Sequence, residues 1–226
     1  MTKNQWTCFI EDSNMKGRGA HGKVYVGYNT RKVAIKEFQN IKLARKEFGI
    51  MKEYGNGKFL PQYYDFFIMN RKAYIVMEYI GGNTLGTTYF ESKGKKRPLK
   101  ISINITINIL RALNRLHSSG YAHMDIIPKN IMINGLQPHT VKLIDFSIAE
   151  PLTQSTLQND LRQAAHMCIF LINGRVPIEK RKPNNIKPFA MSNTNLKKVL
   201  MVAIKPTKKK RYRSAQDFIN ALKVFT

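Results

Sequence analysis

The sequence predicts an α+β chain, with strands gathered in its first third and helices in the rest. Short runs such as Val33-Ala34-Ile35-Lys36 and Tyr74-Ile75-Val76-Met77 are rich in β-branched and aromatic residues, and polar and apolar positions alternate through Val24, Val26 and Tyr28. That is the period of a strand. Further on, Ile105, Ile109, Ala112, Leu113 and Leu116 recur at helical spacing. At 226 residues with 43% hydrophobic content, the chain fits one ordinary domain or two small lobes sharing a cleft.

Charge and cysteine content narrow the class. Lys and Arg number 38 against 14 Asp and Glu, a formal charge of +24. A surface of that sign attracts a polyanion, whether nucleic acid, acidic protein, anionic membrane or nucleotide. The two cysteines, Cys8 and Cys168, offer neither a disulfide framework nor a C-x-x-C metal site, which suits a reducing cytosol and a cytoplasmic protein. No run approaches the roughly 18 apolar residues of a membrane span, and no basic-then-apolar leader opens the chain.

In chain order, a mixed stretch over 8–15 leads into Gly17-Arg18-Gly19-Ala20-His21-Gly22-Lys23-Val24-Tyr25-Val26. Three glycines at G-x-G-x-x-G before an alternating run suit a strand-turn-strand flap whose backbone N–H groups can approach phosphates. Dinucleotide-binding folds share the spacing, but there the third glycine opens a helix, whereas Gly22 precedes β-branched and aromatic residues. Asn29-Thr30-Arg31-Lys32 makes a tight connection into Val33-Ala34-Ile35-Lys36, where alternation puts Lys36 and Ala34 on one face. Lys42 to Tyr54 reads as an amphipathic helix broken by Gly55-Asn56-Gly57. Two aromatic strands follow, Pro61 to Phe67 and Ala73 to Ile80, the second ending at Gly81-Gly82.

The second part continues with a basic loop at Lys93-Gly94-Lys95-Lys96-Arg97 and a helix from Ile101 to Ser119, stopped at Gly120. His117 reads as an ordinary helix-end residue and His123 as a structural one beneath the loop that follows; neither is a metal ligand. A buried helix is expected from Asp160 through the apolar run that contains Cys168. Residues 178–195, basic and rich in Pro and Asn, read as loop, and Leu196–Ile204 and Ser214–Phe225 as two closing helices around Lys208-Lys209-Lys210-Arg211-Tyr212-Arg213.

The chemistry concentrates in His123-Met124-Asp125-Ile126-Ile127-Pro128-Lys129-Asn130 and Leu143-Ile144-Asp145-Phe146-Ser147. Asp125, then Asn130, then Asp145 after a short hairpin supply one acceptor for a hydroxyl proton and two oxygen ligands for a divalent metal, an inventory suited to phosphoryl transfer. Taken alone the stretch is also a polar loop between strands. Its spacing matches H-x-D-x-x-x-x-N and D-F-x, and with the glycine flap and V-A-I-K the chain resembles the protein-kinase superfamily, in the form of a compact eukaryotic-like Ser/Thr protein kinase such as a bacterial or viral one.

That resemblance implies a two-lobed kinase-like fold: a small antiparallel β N-lobe over 1–79 and a mainly helical C-lobe over 80–226. It implies ATP and Mg2+ as cofactors. Gly17, Arg18, Gly19 and Gly22 would cover the phosphates, with Val24 and Ala34 beside the nucleotide. Lys36 would neutralise the α and β groups, held by Glu47, with Glu53 and Glu37 as alternatives. Met77 would guard the back of the adenine pocket, and Glu78 and Tyr79 would offer hinge backbone groups. Asn130 and Asp145 would hold magnesium while Asp125 orients and deprotonates the acceptor hydroxyl. Asp160 would anchor the catalytic loop from below, or else is an acid at a helix N-terminus.

Three departures bear on activity. Ile127 stands where Ser/Thr kinases keep a Lys, and Lys129 is in position to supply that charge instead. Met124 replaces the usual Arg, and Ser147 the usual Gly. The activation segment after Asp145 is reduced. An active Ser/Thr kinase is the leading expectation. A pseudokinase, a kinase for a small hydroxylated molecule, and a nucleic-acid-binding protein that keeps the fold are the alternatives. The basic runs at 93–100, 179–187 and 205–213 read either as a surface for an acidic protein or nucleic acid, or as solvated surface.

Overall fold

Alternating strands at the start of the chain do close into a sheet, and helices carry the remainder. The computed structural model describes residues 4–11, 14–19, 22–87, 95–176, 178–179, 182–186 and 191–226, with backbone alone at 4–5, 18–19, 29, 178–179 and 182–186. Two compact units result, residues 1–80 with 145–147 and residues 81–144 with 148–226. The division is therefore not a single cut, because the chain re-enters the first unit at Asp145.

In the first unit, α1 (Asn4–Thr7) precedes β1 (Met15–Gly19), β2 (Gly22–Asn29), β3 (Arg31–Phe38), α2 (Ile41–Tyr54), β4 (Tyr63–Met69) and β5 (Lys72–Glu78). The strands form one antiparallel sheet in the order β1-β2-β3-β5-β4. Two of its turns use left-handed residues: Thr30 at φ 50° between β2 and β3, and Asn70-Arg71 at 49° and 59° between β4 and β5. Positive φ at both central residues gives the twist that a two-residue hairpin needs. One face of the sheet packs Tyr25, Val33, Ile35, Phe67, Tyr74 and Val76 around Trp6, whose indole N–H donates to Asp65 at 2.7 Å. Helix α2 starts at the Asn40 cap, which accepts from the Leu43 amide at 3.1 Å. Its Phe48 stacks on Phe66 of β4, centroids 4.8 Å apart.

The second unit holds β6 (Asn83–Thr84), α3 (Leu99–Ser118), β7 (Tyr121–Ala122), β8 (Ile131–Ile133), β9 (Lys142–Leu143), β10 (Glu150–Pro151), α4 (Gln154–Asn173), β11 (Ile178–Glu179), β12 (Lys182–Ile186), α5 (Thr194–Ile204) and α6 (Ala215–Lys223). Its core is built on α3 and α4, where Ile103, Ile109, Leu113, Leu161, Ala165 and Ile169 are all fully buried. Short ladders β6-β8-β9 and β7-β10 brace the loops between the helices. Among the described residues no helix is long and apolar enough to cross a membrane.

Two expectations change. Helix α4 begins at Gln154, not Asp160: Thr153 and Thr156 form a capping box that starts the helix in a polar stretch with no apolar period to reveal it. Residues 178–186 are not all loop, since β11 and β12 pair Ile178 with Ile186 and Glu179 with Lys182. A two-stranded ladder consists only of edges, so Pro183 is tolerated despite lacking an N–H. Ala20, His21, Lys93, Gly94, Pro177, Lys180, Arg181 and Lys187, which belong to stretches read above, lie outside the described residues.

Candidate active site

Strand register sorts the first unit's candidate residues. Val24 lies opposite Lys36 and Val26 opposite Ala34, while Ala34 lies opposite Met77. Directly opposed and alternate positions share a face. Val24, Ala34, Lys36 and Met77 therefore line one side of the sheet, and Trp6 and its neighbours pack on the other.

On the first side, the Lys36 ammonium is shared between two carboxylates. Nζ lies 2.7 and 2.9 Å from the two Glu47 oxygens and 3.0 Å from Asp145 Oδ1. Glu47 belongs to the buried stripe Ala44, Glu47, Ile50, Met51 and Tyr54 of α2, a charged residue at a position where helical periodicity asks for an apolar one. Glu37 is the wrong choice by parity, for it sits on the opposite face, accepting from Lys72 at 3.1 Å and from the hydroxyls of Tyr25 and Tyr74 at 3.3 Å. Glu53 is exposed.

Electrostatics divide this trio unequally. Burial alone would lower Lys36, but Glu47 and Asp145 outweigh it and hold the lysine above its ordinary value. Burial would likewise raise Asp145, yet the Lys36 charge and the Ser147 hydrogen bonds bring it down to about 2. Glu47 ends above its ordinary value, because full burial and the Asp145 charge exceed what Lys36 returns. The trio thus keeps Asp145 an anion across the physiological range. Asp145 itself sits at φ 69°, and Phe146 is buried against Tyr54, centroids 5.2 Å apart.

The glycine flap is antiparallel as expected, with Gly17 opposite Val24 and Gly19 opposite Gly22. Gly22 has a reason within the fold: at φ +151° an added Cβ would lie 1.7 Å from the Glu37 carbonyl oxygen, so β3 could not approach. A Cβ at Gly17 would meet nothing within 4 Å, so its absence is not demanded by packing. The Arg18 side chain lies outside the described residues. At the end of β5, the Glu78 N–H already donates to the Gln62 carbonyl at 2.7 Å, so that amide is not open to a ligand. The Tyr79 ring covers the Lys32 ammonium, 4.0 Å from the centroid.

In the second unit, Asn130 folds back on Asp125. Its amide nitrogen donates to the Asp125 carbonyl at 2.9 Å and to Oδ2 at 2.7 Å. Both amide protons are thereby engaged, which leaves Oδ1 as the side chain's remaining oxygen donor. Lys129 Nζ lies 3.8 Å from Asp125 Oδ2 on a half-exposed side chain, while Ile127 is partly buried and brings no charge. His123 is fully buried. Its Nδ1 accepts from the Asp125 amide at 3.3 Å, so Nε2 carries the proton and donates to the Ile144 carbonyl at 3.1 Å.

Beneath this loop lies Asp160, the seventh residue of α4 and wholly buried. It accepts from the His123 and Met124 amides, each at 2.8 Å, and from His117 Nε2 at 2.8 Å. Its place inside the helix removes the N-terminal-acid alternative. Met124 is held at φ 70°, a left-handed conformation rare for such a side chain. Gln163 completes the hold: its carbonyl accepts from the Ile126 amide at 2.8 Å and its amide donates to the Met124 carbonyl at 2.9 Å. Sequence reading missed Gln163 and took His117 as ordinary. The available signal was helical spacing, since Gln163 stands three residues after Asp160 on the same face.

Residues 10–168 match the protein kinase domain family. The chain belongs to that family. It is 32% identical over 163 residues to the Dictyostelium discoideum serine/threonine-protein kinase pakC, covering 68% of this chain and 33% of that protein. Against the Mycolicibacterium smegmatis serine/threonine-protein kinase PknG it is 34% identical over 160 residues, covering 61% of this chain and 20% of that one. The matched chain thus spans a third or less of these relatives. The fold matches the crystal structure of the Mycobacterium tuberculosis PknI kinase domain at a TM-score of 0.73, with 18% identity and 94% of each chain covered. The α+β, two-lobed fold is that of a protein kinase.

Proposed function

We propose that this chain is an ATP-dependent phosphotransferase that moves the γ-phosphate of ATP to a protein Ser or Thr hydroxyl. The observation that carries the reading is the Lys36 ammonium bonded to both Glu47 and Asp145, a cation kept charged and aimed by two anions. The names of the matched relatives support Ser/Thr as the acceptor class.

The donor set fits magnesium. Asn130 Oδ1 and the Asp145 carboxylate are hard oxygen ligands, and Mg2+ usually takes one or two carboxylates plus substrate phosphates rather than a full protein cage. When bound with ATP, Mg2+ neutralises charge on the phosphate oxygens.

Each remaining role falls to a side chain. Lys36 would meet the α- and β-phosphates of bound ATP, with Glu47 fixing its direction. Val24, Ala34 and Met77 offer an apolar face to the base. Asp125 Oδ2 is occupied by Asn130, so Oδ1 takes the proton of the acceptor hydroxyl. Lys129 supplies beside Asp125 the positive charge that Ile127 does not. The cysteine chemistry suits a cytoplasmic protein.

A small hydroxylated acceptor is the second reading. It is favoured by the segment between Ser147 and α4, which is only residues 148–153 and is tied by the β7-β10 ladder. Transfer from γ-labelled ATP with Mg2+ to basic and acidic protein acceptors, comparing the native chain with Asp125→Asn, tests the proposal. Label on protein that disappears in the variant is expected. ATP binding without any transfer would replace the proposal with a pseudokinase.

A further inference from the structure

Helix α5 has two apolar faces, and its own fold covers one of them. Leu196, Leu200, Ala203 and Ile204 are buried. Met201 and Val202 remain half-buried on the other side, in line with Lys197, Lys198 and Lys205 at the spacing of a single helix face. These residues and Lys210 of the following turn line an open concavity of about 500 Å³.

The turn is built rather than loose. Lys210 donates its amide to Thr207 Oγ1 at 2.9 Å, and Thr207 donates its amide to the Lys210 carbonyl at 2.9 Å. Just beyond, the Tyr212 hydroxyl donates to the Val199 carbonyl at 3.1 Å, and its ring stacks on Phe218 of α6 with centroids 4.7 Å apart. Gln158 of α4 donates to the Tyr212 carbonyl at 2.7 Å. Residues 194–213 contain eight Lys and Arg and no Asp or Glu.

Charge alone would suit any polyanion, and shape narrows the class. A phosphate backbone has nothing apolar to set on Met201 and Val202. Single-stranded bases call for aromatic platforms, and among the described residues none that lines the concavity is aromatic. A membrane surface is too flat to fill it. We propose that this concavity docks an acidic peptide segment of a partner protein: a bulky apolar side chain enters against Met201 and Val202, and flanking Asp or Glu residues pair with Lys198, Lys205 and Lys210. The site is separate from the phosphotransfer residues and does not depend on them.

The test is fluorescence anisotropy on the full chain with a labelled peptide carrying one Phe flanked on both sides by Asp and Glu. A charge-matched peptide with Ala for Phe and a duplex DNA serve as competing probes. The Phe peptide is expected to bind about tenfold tighter than the Ala peptide, which corresponds to about 1.4 kcal/mol. Lys198→Glu with Lys205→Glu, checked for native helix content by circular dichroism, should weaken it by about tenfold or more, since like charges then face each other. Met201→Ser should narrow the gap between the two peptides, and Asp125→Asn should leave it unchanged. Equal affinity for both peptides would overturn the proposal, as would binding untouched by the double reversal. Uptake of DNA with steep salt dependence, and none of peptide, would assign the surface to nucleic acid instead.

Discussion

Replacing Asp160 by Asn removes one charge and one acceptor from the α4 carboxylate that bonds the loop at 123–124 from below. If the amide oxygen takes the Oδ2 position, it keeps the bonds from the His123 amide and His117. The amide nitrogen then faces the Met124 N–H, 2.8 Å from the former Oδ1, donor against donor. Losing a hydrogen bond to a buried charge costs about 1.5–3 kcal/mol, and the orphaned N–H adds about 1 more. The total is about 3 kcal/mol. Met124 at φ 70° also loses one of its restraints, so the neighbouring Asp125 should be held less well. With a urea slope of about 2 kcal/mol per molar, the midpoint read by far-UV circular dichroism should fall by about 1.5 M. Phosphotransfer should fall with it, under conditions where the variant is still folded. A midpoint shift below about 0.5 M, equivalent to about 1 kcal/mol, would refute the claim that Asp160 holds this loop.

Other perturbations have comparably direct readouts. Lys36→Met removes the main charge that holds Asp145 at about 2; only the Ser147 hydrogen bonds then oppose burial, and the Asp145 carboxyl should titrate at a clearly higher pH than in the native chain, read by carbon-13 NMR. In the native chain Asp145's contribution to stability is present above about pH 4 and lost as pH falls through about 2, and the variant should lack that loss. His166, brought down to about 4 by burial and Arg162, acts over a different window. Its unfolded value is near 6.5, so its contribution is complete above that pH and falls away towards pH 4, by about 3 kcal/mol. Urea midpoints at neutral and acid pH should show this fall in the native chain and a smaller one in His166→Gln; identical falls would contradict it. Burial pushes the Cys168 thiol up to about 12 while Cys8 is exposed, so a disulfide reagent at mild pH should label one thiol, and the second only in denaturant. Gly22→Ala drives a Cβ into the Glu37 carbonyl and should destabilise the first unit by more than about 2 kcal/mol, seen as an earlier transition of Trp6 fluorescence; an unchanged transition would show that the flap can move aside.

Legibility followed the range of the interaction. The Asp125, Asn130 and Asp145 spacing was visible because those residues lie within short loops whose length the chain itself sets. Strand parity placed Ala34 with Lys36, and the sheet register extended the same face to Val24 and Met77. Glu47 was chosen through the resemblance, which left Glu37 and Glu53 open; its place as a charge in the buried stripe of α2 came from the structure. The polar start of α4 was hidden because a capping box satisfies backbone groups without any hydrophobic period. The β11-β12 ladder was hidden because backbone pairing draws little on side-chain composition.

The sequence by itself therefore determined the broad order of strands then helices, the family and a set of candidate side chains for the reaction, since these rest on local periodicity and on spacing along the chain. Only the tertiary structure decided which carboxylates share Lys36, why Gly22 must lack a side chain, and how His117, Asp160 and Gln163 together hold the His123, Met124 and Ile126 backbone on either side of Asp125. Those contacts join residues that lie far apart along the chain, and their energies depend on burial and hydrogen-bond direction. A one-dimensional pattern carries neither.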